Sequence, residues 1–305
     1  MLITVAICTR DRAASLARTL DSLAAMAPPG GPFEVLVIDN ASTDDTPAVA
    51  ARFAARLPLR LEREARPGLS HARNRAVAAA RGAYIAWTDD DVAVDADWLA
   101  AYARAFARWP EASVFGGPIV PVLLPPVTPW VRDNIALLAS ALAARDLGAA
   151  PGALAADALP YGANYAVRAA EQRRCPYDPA LGVAPGRSRL GEETAAMEAM
   201  LAAGGLGRWV PDCRVSHLIA PERQTAAYIR RHFAAAGETE AHRRGAAGAP
   251  RLFGVPRWLW RRWLSGHARH ALARLGAPPP VWLPALIGLA QTEGELRYWR
   301  RGGAG

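Results

Sequence analysis

The chain has 305 residues, of which 51% are hydrophobic, so it can bury a core without disulfide or metal staples. Its basic residues are all arginines, which excludes Schiff-base chemistry and a phosphate-binding loop built on lysine. Nine arginines lie between Arg251 and Arg301, opposed by Glu293 and Glu295, and this tail carries most of the net charge of +8. The rest of the chain is near neutral, which is not typical of a protein that binds nucleic acid.

The first part of the chain, residues 1–120, alternates short β-branched runs with alanine-rich helical patterns. This alternation predicts a β-α-β series with a mostly parallel sheet, a nucleotide-binding architecture. The N-terminal run Leu2–Ile7 is therefore a first strand and not a signal peptide. The predicted strands cover 2–8, 33–39, 58–63, 83–88 and 113–119. The predicted helices cover 12–27, 43–56, 70–81 and 95–108.

Residues 121–248 are predicted to form the second half of the same domain. Proline and alanine dominate 120–160, where we expect irregular structure with one helix near 134–147. The later predicted elements are a strand near 163–168, a helix near 192–203, strands near 208–210 and 214–217, and a helix from about 223 to 243.

Residues 249–305 form a tail that holds five of the ten tryptophans. One stripe of the tail repeats at helical spacing and has Arg262 and Arg269 opposite it. It consists of Trp260, Leu264, Ala268, Ala271 and Leu275. A basic helix with such a side can lie in a membrane interface, so we expect peripheral binding to the inner face of the cytoplasmic membrane. The alternative is a helix that packs on the rest of the chain or on a second subunit.

Two further features bear on location. The three cysteines are too few and too scattered for a disulfide framework, which favours reduced thiols and a cytoplasmic protein. No stretch approaches the roughly 20 apolar residues that a spanning helix needs.

Polar residues follow four consecutive predicted strands. In an open α/β sheet, ligands bind beyond the carboxyl ends of the strands, so these four segments should meet at one edge. They are Cys8–Arg12, Asp39–Asp44, Arg66–Asn74 and Asp89–Asp91.

The acidic triplet Asp89–Asp91 is the most chemically informative of these segments. Adjacent carboxylates at a buried strand end repel one another unless a cation is present. Carboxylate oxygens suit Mg²⁺ or Mn²⁺, which take further ligands from substrate phosphates. The alternative is an acidic cap for the helix that begins near Asp95. No Gly-x-Gly-x-x-Gly or Walker sequence follows the first strand, so metal and arginines must hold any phosphates.

The motifs resemble those of family 2 glycosyltransferases, which have the GT-A fold, an α/β nucleotide-diphospho-sugar transferase fold. The resemblance rests on seven segments in order over residues 2 to about 245. They are Ile7–Arg12, Val37–Asp44, Gly68–Asn74, Asp89–Asp91, Gly162–Asn164, Gly191–Thr194 and Val215–His217, the last followed by Arg223.

The resemblance implies a role for each matched residue. It assigns Asp91, Asp89 and His217 to a Mn²⁺ or Mg²⁺ ion. It assigns Gly162 and Asn164 to the acceptor. The donor nucleotide sugar, usually a UDP- or dTDP-sugar, would be bound by Thr9, Arg10, Arg12, Asp39, Asn40, Ser42, Arg66, Arg73, Asp89, Asp90 and Arg223.

The pair Glu192-Glu193 stands where the family usually has Glu-Asp, whose acidic residue is the candidate catalytic base. We prefer Glu193, which aligns with the aspartate, although the extra methylene leaves Glu192 as an alternative. Without the other motifs, two glutamates at a helix start would be ordinary dipole-complementing residues.

The resemblance implies an inverting, metal-dependent hexosyltransferase (EC 2.4) that transfers a sugar to a hydroxyl acceptor in bacterial polysaccharide or glycoconjugate biosynthesis. The acceptor would be a glycan, a lipid-linked molecule or a small molecule. One alternative is a non-catalytic nucleotide-sugar-binding scaffold at a membrane. Another is a nucleotidyltransferase, but that class normally has a glycine-rich loop near the N-terminus, and Ala6–Ala14 has no glycine.

Overall fold

The structure, a computed structural model, describes residues 1–245 and 250–303. The chain divides into two compact units. The first comprises 1–122, 143–185 and 192–218, and the second comprises 123–142, 186–191 and the described part of 219–305. The predicted segment 121–248 is therefore shared between both units. Its predicted end at 248 lies outside the described residues.

The strands are β1 (Ile3–Thr9), β2 (Phe33–Asp39), β3 (Leu59–Arg63), β4 (Tyr84–Thr88), β5 (Val92–Val94), β6 (Ala112–Gly116), β7 (Ile119–Leu123), β8 (Gly152–Ala153), β9 (Asn164–Arg168), β10 (Val183–Ala184), β11 (Arg187–Ser188), β12 (Leu206–Trp209), β13 (Val215–Ile219), β14 (Arg251–Leu252) and β15 (Val255–Pro256). The helices are α1 (Ala13–Ala25), α2 (Thr46–Arg52), α3 (Leu69–Ala79), α4 (Trp98–Arg108), α5 (Pro129–Arg132), α6 (Ala169–Arg174), α7 (Glu192–Ala202), α8 (Ala226–Arg244), α9 (Arg257–Ala273) and α10 (Pro279–Arg300).

The first unit is built on a mostly parallel sheet with strand order β3-β2-β1-β4-β9-β6-β12-β8. Strands β1, β2 and β4 are buried nearly throughout because helices cover both faces, which explains their continuous apolar runs. In the parallel register Thr9 lies opposite Asp39, so the carboxyl ends of β1 and β2 meet at one edge. The predicted α/β fold with a mostly parallel central sheet is confirmed.

The helix predicted near 134–147 is wrong. The structure has the short helix α5 just before this stretch and successive turns within it. Two local features explain the difference. Pro129 is compatible with the first turn of a helix, and Ala143 has a φ of 52°, which an α-helix does not allow.

The second unit is mainly helical, as predicted for the tail. Helices α8 and α10 approach closely because two glycines lie at their contact. A Cβ atom on Gly237 would lie 1.9 Å from the carbonyl oxygen of Gln291, and one on Gly294 would lie 1.8 Å from that of Ala234. No described helix is long and apolar enough to cross a bilayer.

Candidate functional site

The four polar segments predicted at the sheet edge do come together there. The first and the fourth are joined directly, because the Thr9 hydroxyl donates a hydrogen bond of 2.6 Å to Asp90 Oδ2. The loop after β1 also contacts the loop after β2, where the Asp11 backbone N–H donates to the Ser42 hydroxyl at 2.9 Å. These contacts come from neighbouring parallel strands, as the sequence predicted.

Arg12 lies against two of the three adjacent aspartates. Its Nε atom is 3.0 Å from Asp90 Oδ1, and its Nη2 atom is 2.8 Å from Asp91 Oδ2. Burial raises the pKa of Asp90 to about 7, although Arg12 opposes this increase and the charge of Asp91 adds to it. The single guanidinium of Arg12 therefore does not neutralise all of the negative charge of the acidic triplet. An excess of buried negative charge is what a cation site is expected to have.

His217 is brought to Asp91 by strand pairing. Strand β13 runs antiparallel to β5, with His217 opposite Val92, and its Nε2 atom lies 3.3 Å from Asp91 Oδ1. Both side chains are buried, at 2% and 5% exposure. The predicted metal ligands Asp91 and His217 are thus adjacent.

A divalent metal at this site would take its protein ligands from this donor set. Among the described residues, no three His, Cys, Asp or Glu side chains form a group that could hold a metal ion alone. Asp89, the third predicted ligand, points instead towards Arg73, with Oδ1 3.7 Å from Nη2. The pair Asp91–His217 still fits Mg²⁺ or Mn²⁺, because these ions take the remaining ligands from substrate phosphates and water.

Arg73 on α3 is almost completely buried and is surrounded by aromatic rings. Its guanidinium carbon lies 5.4, 5.8 and 5.5 Å from the ring centres of Trp87, Tyr165 and Tyr177. Its Nη1 atom donates to the Tyr165 hydroxyl at 2.7 Å, and its Nε atom lies 3.4 Å from Glu192 Oε1. Arg73 therefore carries a fixed positive charge to the start of α7.

The two adjacent glutamates begin α7 and have different environments. Glu192 is buried, at 4% exposure, whereas Glu193 is partly exposed. Burial raises the pKa of Glu192 to about 8, with a further increase from Glu193 and an opposing effect of Arg73. Glu193 Oε1 lies 3.6 Å from where a Cβ atom on Gly162 would be, so the predicted acceptor residue Gly162 borders this carboxylate.

Asp89 connects the two acidic groups. It interacts electrostatically with Arg73 and Glu193 on one side and with Asp91 and His217 on the other. The candidate base and the candidate metal ligands therefore belong to one site.

A cavity of about 520 Å³ opens beside this site. Its polar lining comes from the loop after β1 and from single residues that follow β2 and β4, and the start of α3 adds small and apolar residues. The lining contains five predicted donor-binding residues, namely Thr9, Arg10, Arg12, Asn40 and Asp90, together with Cys8, Gly68, Leu69 and Ala72.

Other predicted donor residues shape the loops that form this cavity. The Asn40 amide donates to the carbonyl oxygens of Glu64 and Arg66 and accepts from the Gly68 N–H at 2.8 Å. Asp39 Oδ1 accepts from the backbone N–H of Ser42 at 3.0 Å. The Arg66 side chain is largely exposed and is paired with Glu64 at 3.0 Å.

Asn164, predicted to bind the acceptor, is completely buried in hydrogen bonds with the protein. Its Oδ1 atom accepts from Trp98 Nε1 and from the Tyr102 hydroxyl, each at 2.9 Å. Its Nδ2 atom donates to the carbonyl oxygens of Pro118 and Cys213, at 3.0 and 2.6 Å. These four bonds give Asn164 a structural role, and its contact with an acceptor remains a prediction.

Arg223 lies in the second unit, where its Nε atom donates to the Tyr228 hydroxyl at 2.9 Å. Its role at a diphosphate remains a prediction.

The sequence did not indicate Tyr165 and Tyr177, whose rings lie against the Arg73 guanidinium. The only available signal for Tyr165 was its place next to Asn164, and Tyr177 had none.

One comparison concerns the part of the chain that supplies most of the cavity. Residues 4–135 match the family model described as Glycosyl transferase family 2. The match covers less than half of the chain. A search of curated proteins finds no sequence relative.

Solved structures of glycosyltransferases share the fold at low sequence identity. A mannosyltransferase from Pyrobaculum calidifontis, in complex with GDP-Man and Mn²⁺, is 20% identical, with a TM-score of 0.53 over 99% of this chain and 75% of that one. TarS 1-349 from S. aureus, in complex with UDP-GlcNAc, is 16% identical, with a TM-score of 0.56 over 99% of this chain and 92% of that one. The segment that matches the family model thus lies in a chain with a GT-A-like fold.

Proposed function

We propose that the protein is an inverting glycosyltransferase that moves a sugar from a nucleotide diphosphate donor to a hydroxyl acceptor in bacterial glycan or glycoconjugate biosynthesis. The observation that carries the proposal is the single site that contains both the Asp91–His217 pair, at 3.3 Å, and the Glu192-Glu193 pair. Asp89 interacts electrostatically with members of both pairs. An in-line displacement needs a group that stabilises the leaving diphosphate on one side of the anomeric carbon and a base for the attacking hydroxyl on the other side.

The donor is bound in the cavity at the carboxyl ends of the parallel strands. Arg10 and Arg12 line this cavity and supply positive charge for a diphosphate, which a chain without lysine must take from arginine or metal. The GDP-Man and UDP-GlcNAc complexes of the two similar structures support a nucleotide-sugar donor. The family resemblance favours a UDP- or dTDP-sugar.

Asp91 and His217 would hold a Mn²⁺ or Mg²⁺ ion together with the donor phosphates. When bound, such an ion neutralises charge that develops on the departing diphosphate. Arg12 contacts both Asp90 and Asp91 and so fixes the orientation of each carboxylate. Thr9 adds a third constraint through its hydrogen bond to Asp90.

Glu193 acts as the base. Its carboxylate removes the proton from the acceptor hydroxyl as the new bond from that oxygen to the anomeric carbon forms. The bond from the anomeric carbon to the diphosphate breaks on the opposite side, and the diphosphate leaves with the electron pair. Burial raises the pKa of Glu192 to about 8, so that carboxyl is largely protonated at neutral pH and is the poorer candidate for the base.

The test is the release of nucleoside diphosphate from a panel of UDP-, dTDP- and GDP-sugars with Mn²⁺, with water or a simple sugar alcohol as acceptor. Glu193→Gln should lower turnover by about a hundredfold or more while nucleotide binding is retained. Glu198→Gln, on the same helix, is the matched control and should keep wild-type turnover. Equal turnover in wild type and Glu193→Gln would contradict the assignment of the base. Nucleotide binding with no turnover of any donor would favour a non-catalytic scaffold.

A further inference from the structure

Helix α9 has one side packed in the second unit and one side in solvent. Leu259 and Gly266 are buried on the packed side, and Trp260 and Trp263 lie against the cluster formed by Leu296 and its neighbours. The predicted apolar stripe was therefore only partly correct. Its Trp260 end packs inward, whereas Leu264 and Leu275 are exposed.

The exposed side is apolar over much of its length. Leu264, Leu272 and Leu275 are 62%, 68% and 78% exposed, and Ala268 and Ala271 are exposed between them. Leu264, Ala268, Leu272 and Leu275 follow at intervals of four, four and three residues, so they share one face of the helix and of the turn that ends it. The exposure of three large aliphatic side chains to water on one helical face is unfavourable, and an interaction surface would explain it.

The charges on this side are all of one sign. Helix α9 contains no aspartate or glutamate, and Arg257, Arg261 and Arg269 are exposed on it. Arg262, on the packed side, is paired with Glu295 at 2.9 Å. Within the described part of the chain, neither Arg261 nor Arg269 has a carboxylate partner. The exposed face is thus both apolar and uncompensated in positive charge.

We propose that this face, formed by Leu264, Leu272 and Leu275 with Arg257, Arg261 and Arg269, docks on the surface of an anionic lipid bilayer. The leucines would enter the boundary between head groups and acyl chains, and the arginines would contact lipid phosphates. A second copy of the chain is a poorer occupant, because self-association through this face would bring like charges together. This inference concerns the second unit and does not depend on the transfer reaction.

The test is co-sedimentation of the full chain with vesicles of phosphatidylcholine alone or with roughly 30% phosphatidylglycerol. The variants are the triple Leu264→Ser, Leu272→Ser, Leu275→Ser and the double Arg261→Glu, Arg269→Glu. Arg52→Glu, an exposed arginine on α2 of the first unit, is the charge control. All these residues are on the surface, and unchanged thermal midpoints would show that the variants are folded.

The expected result is binding of wild type and Arg52→Glu to anionic vesicles, weakened by high salt. Both the leucine and the arginine variants should bind more than about tenfold more weakly. Equal binding by wild type and both variants would overturn the proposal. Absence of vesicle binding together with a dimer that the leucine variant dissociates would also overturn it, in favour of a second copy as the occupant.

Discussion

The Nε atom of Arg73 lies 3.4 Å from Oε1 of Glu192, inside a shell of three aromatic rings. The contact links the helix after β3 to the start of α7, which carries the candidate base. Because both side chains are buried, the positive charge of Arg73 affects the protonation of Glu192, and replacement of either should alter the site.

The pH dependence of stability should report on Glu192. Its pKa is raised to about 8 by burial, then by Glu193, against the effect of Arg73, so the folded chain holds a proton that the unfolded chain releases near pH 4.5. Stability from this group is therefore present at low pH and is lost as the pH rises towards 8. The thermal midpoint of wild type, measured relative to that of Glu192→Gln, should decrease as the pH is raised from about 5 to about 8. A difference that stays constant, or rises with pH, would contradict the raised pKa.

Gly162, which borders Arg73 and Glu193, should not tolerate a methyl group. A Cβ atom on Gly162 would lie 2.6 Å from Arg73 Nη2, and the buried guanidinium has little room to move. Gly162→Ala should lower turnover by about tenfold or more, because it displaces Arg73 and the neighbouring Glu193. Gly152→Ala, where no atom lies within 4 Å, is the matched control and should have wild-type turnover. Equal activity of both variants would show that this close contact is not needed.

Asn164 should contribute to stability and not to acceptor affinity. Asn164→Leu leaves the buried Trp98 and Tyr102 donors and two carbonyl oxygens without partners, so urea denaturation should show a loss of about 3 kcal/mol or more. A stable Asn164→Ala variant with a raised KM for acceptor would instead support the acceptor role that the sequence suggested.

The α8–α10 contact offers a matched pair of glycines on one helix. A Cβ atom on Gly294 would lie 1.8 Å from the Ala234 carbonyl oxygen, whereas no atom lies within 4 Å of one on Gly288. Gly294→Ala should destabilise the protein by about 2 kcal/mol or more, and Gly288→Ala should stabilise it by about 0.5–1 kcal/mol. Denaturation curves that rank the two variants in the opposite order would contradict the close helix packing.

The first half of the fold could be predicted because its signals are local. β1, β2 and β4 are apolar runs bounded by helical patterns, and parallel pairing brings Thr9 and Asp39 to the same edge. The acidic triplet could be found because it carries charge at a strand end, whereas Glu192-Glu193 was found only through the resemblance to family 2 glycosyltransferases. The helix expected near 134–147 failed because an alanine-rich composition does not reveal that Ala143 has a positive φ.

Long-range contacts account for the parts of the site that were missed. Asn164 carries the amide expected of a ligand-binding residue, but its partners Trp98 and Cys213 lie 66 and 49 residues away in sequence. The Tyr177 ring packs against the Arg73 guanidinium, but Tyr177 lies in a segment without a helical or strand-like hydrophobic pattern. Such partners depend on tertiary packing, which residue type and spacing do not encode directly.

The most direct test of the proposed function is calorimetric titration of UDP, dTDP and GDP into the protein with and without Mn²⁺, in wild type and in Asp91→Asn. The account predicts that at least one diphosphate binds wild type, that Mn²⁺ strengthens this binding by about tenfold or more, and that Asp91→Asn removes the metal effect. Binding of the same strength with and without Mn²⁺, or a metal effect that persists in Asp91→Asn, would contradict it.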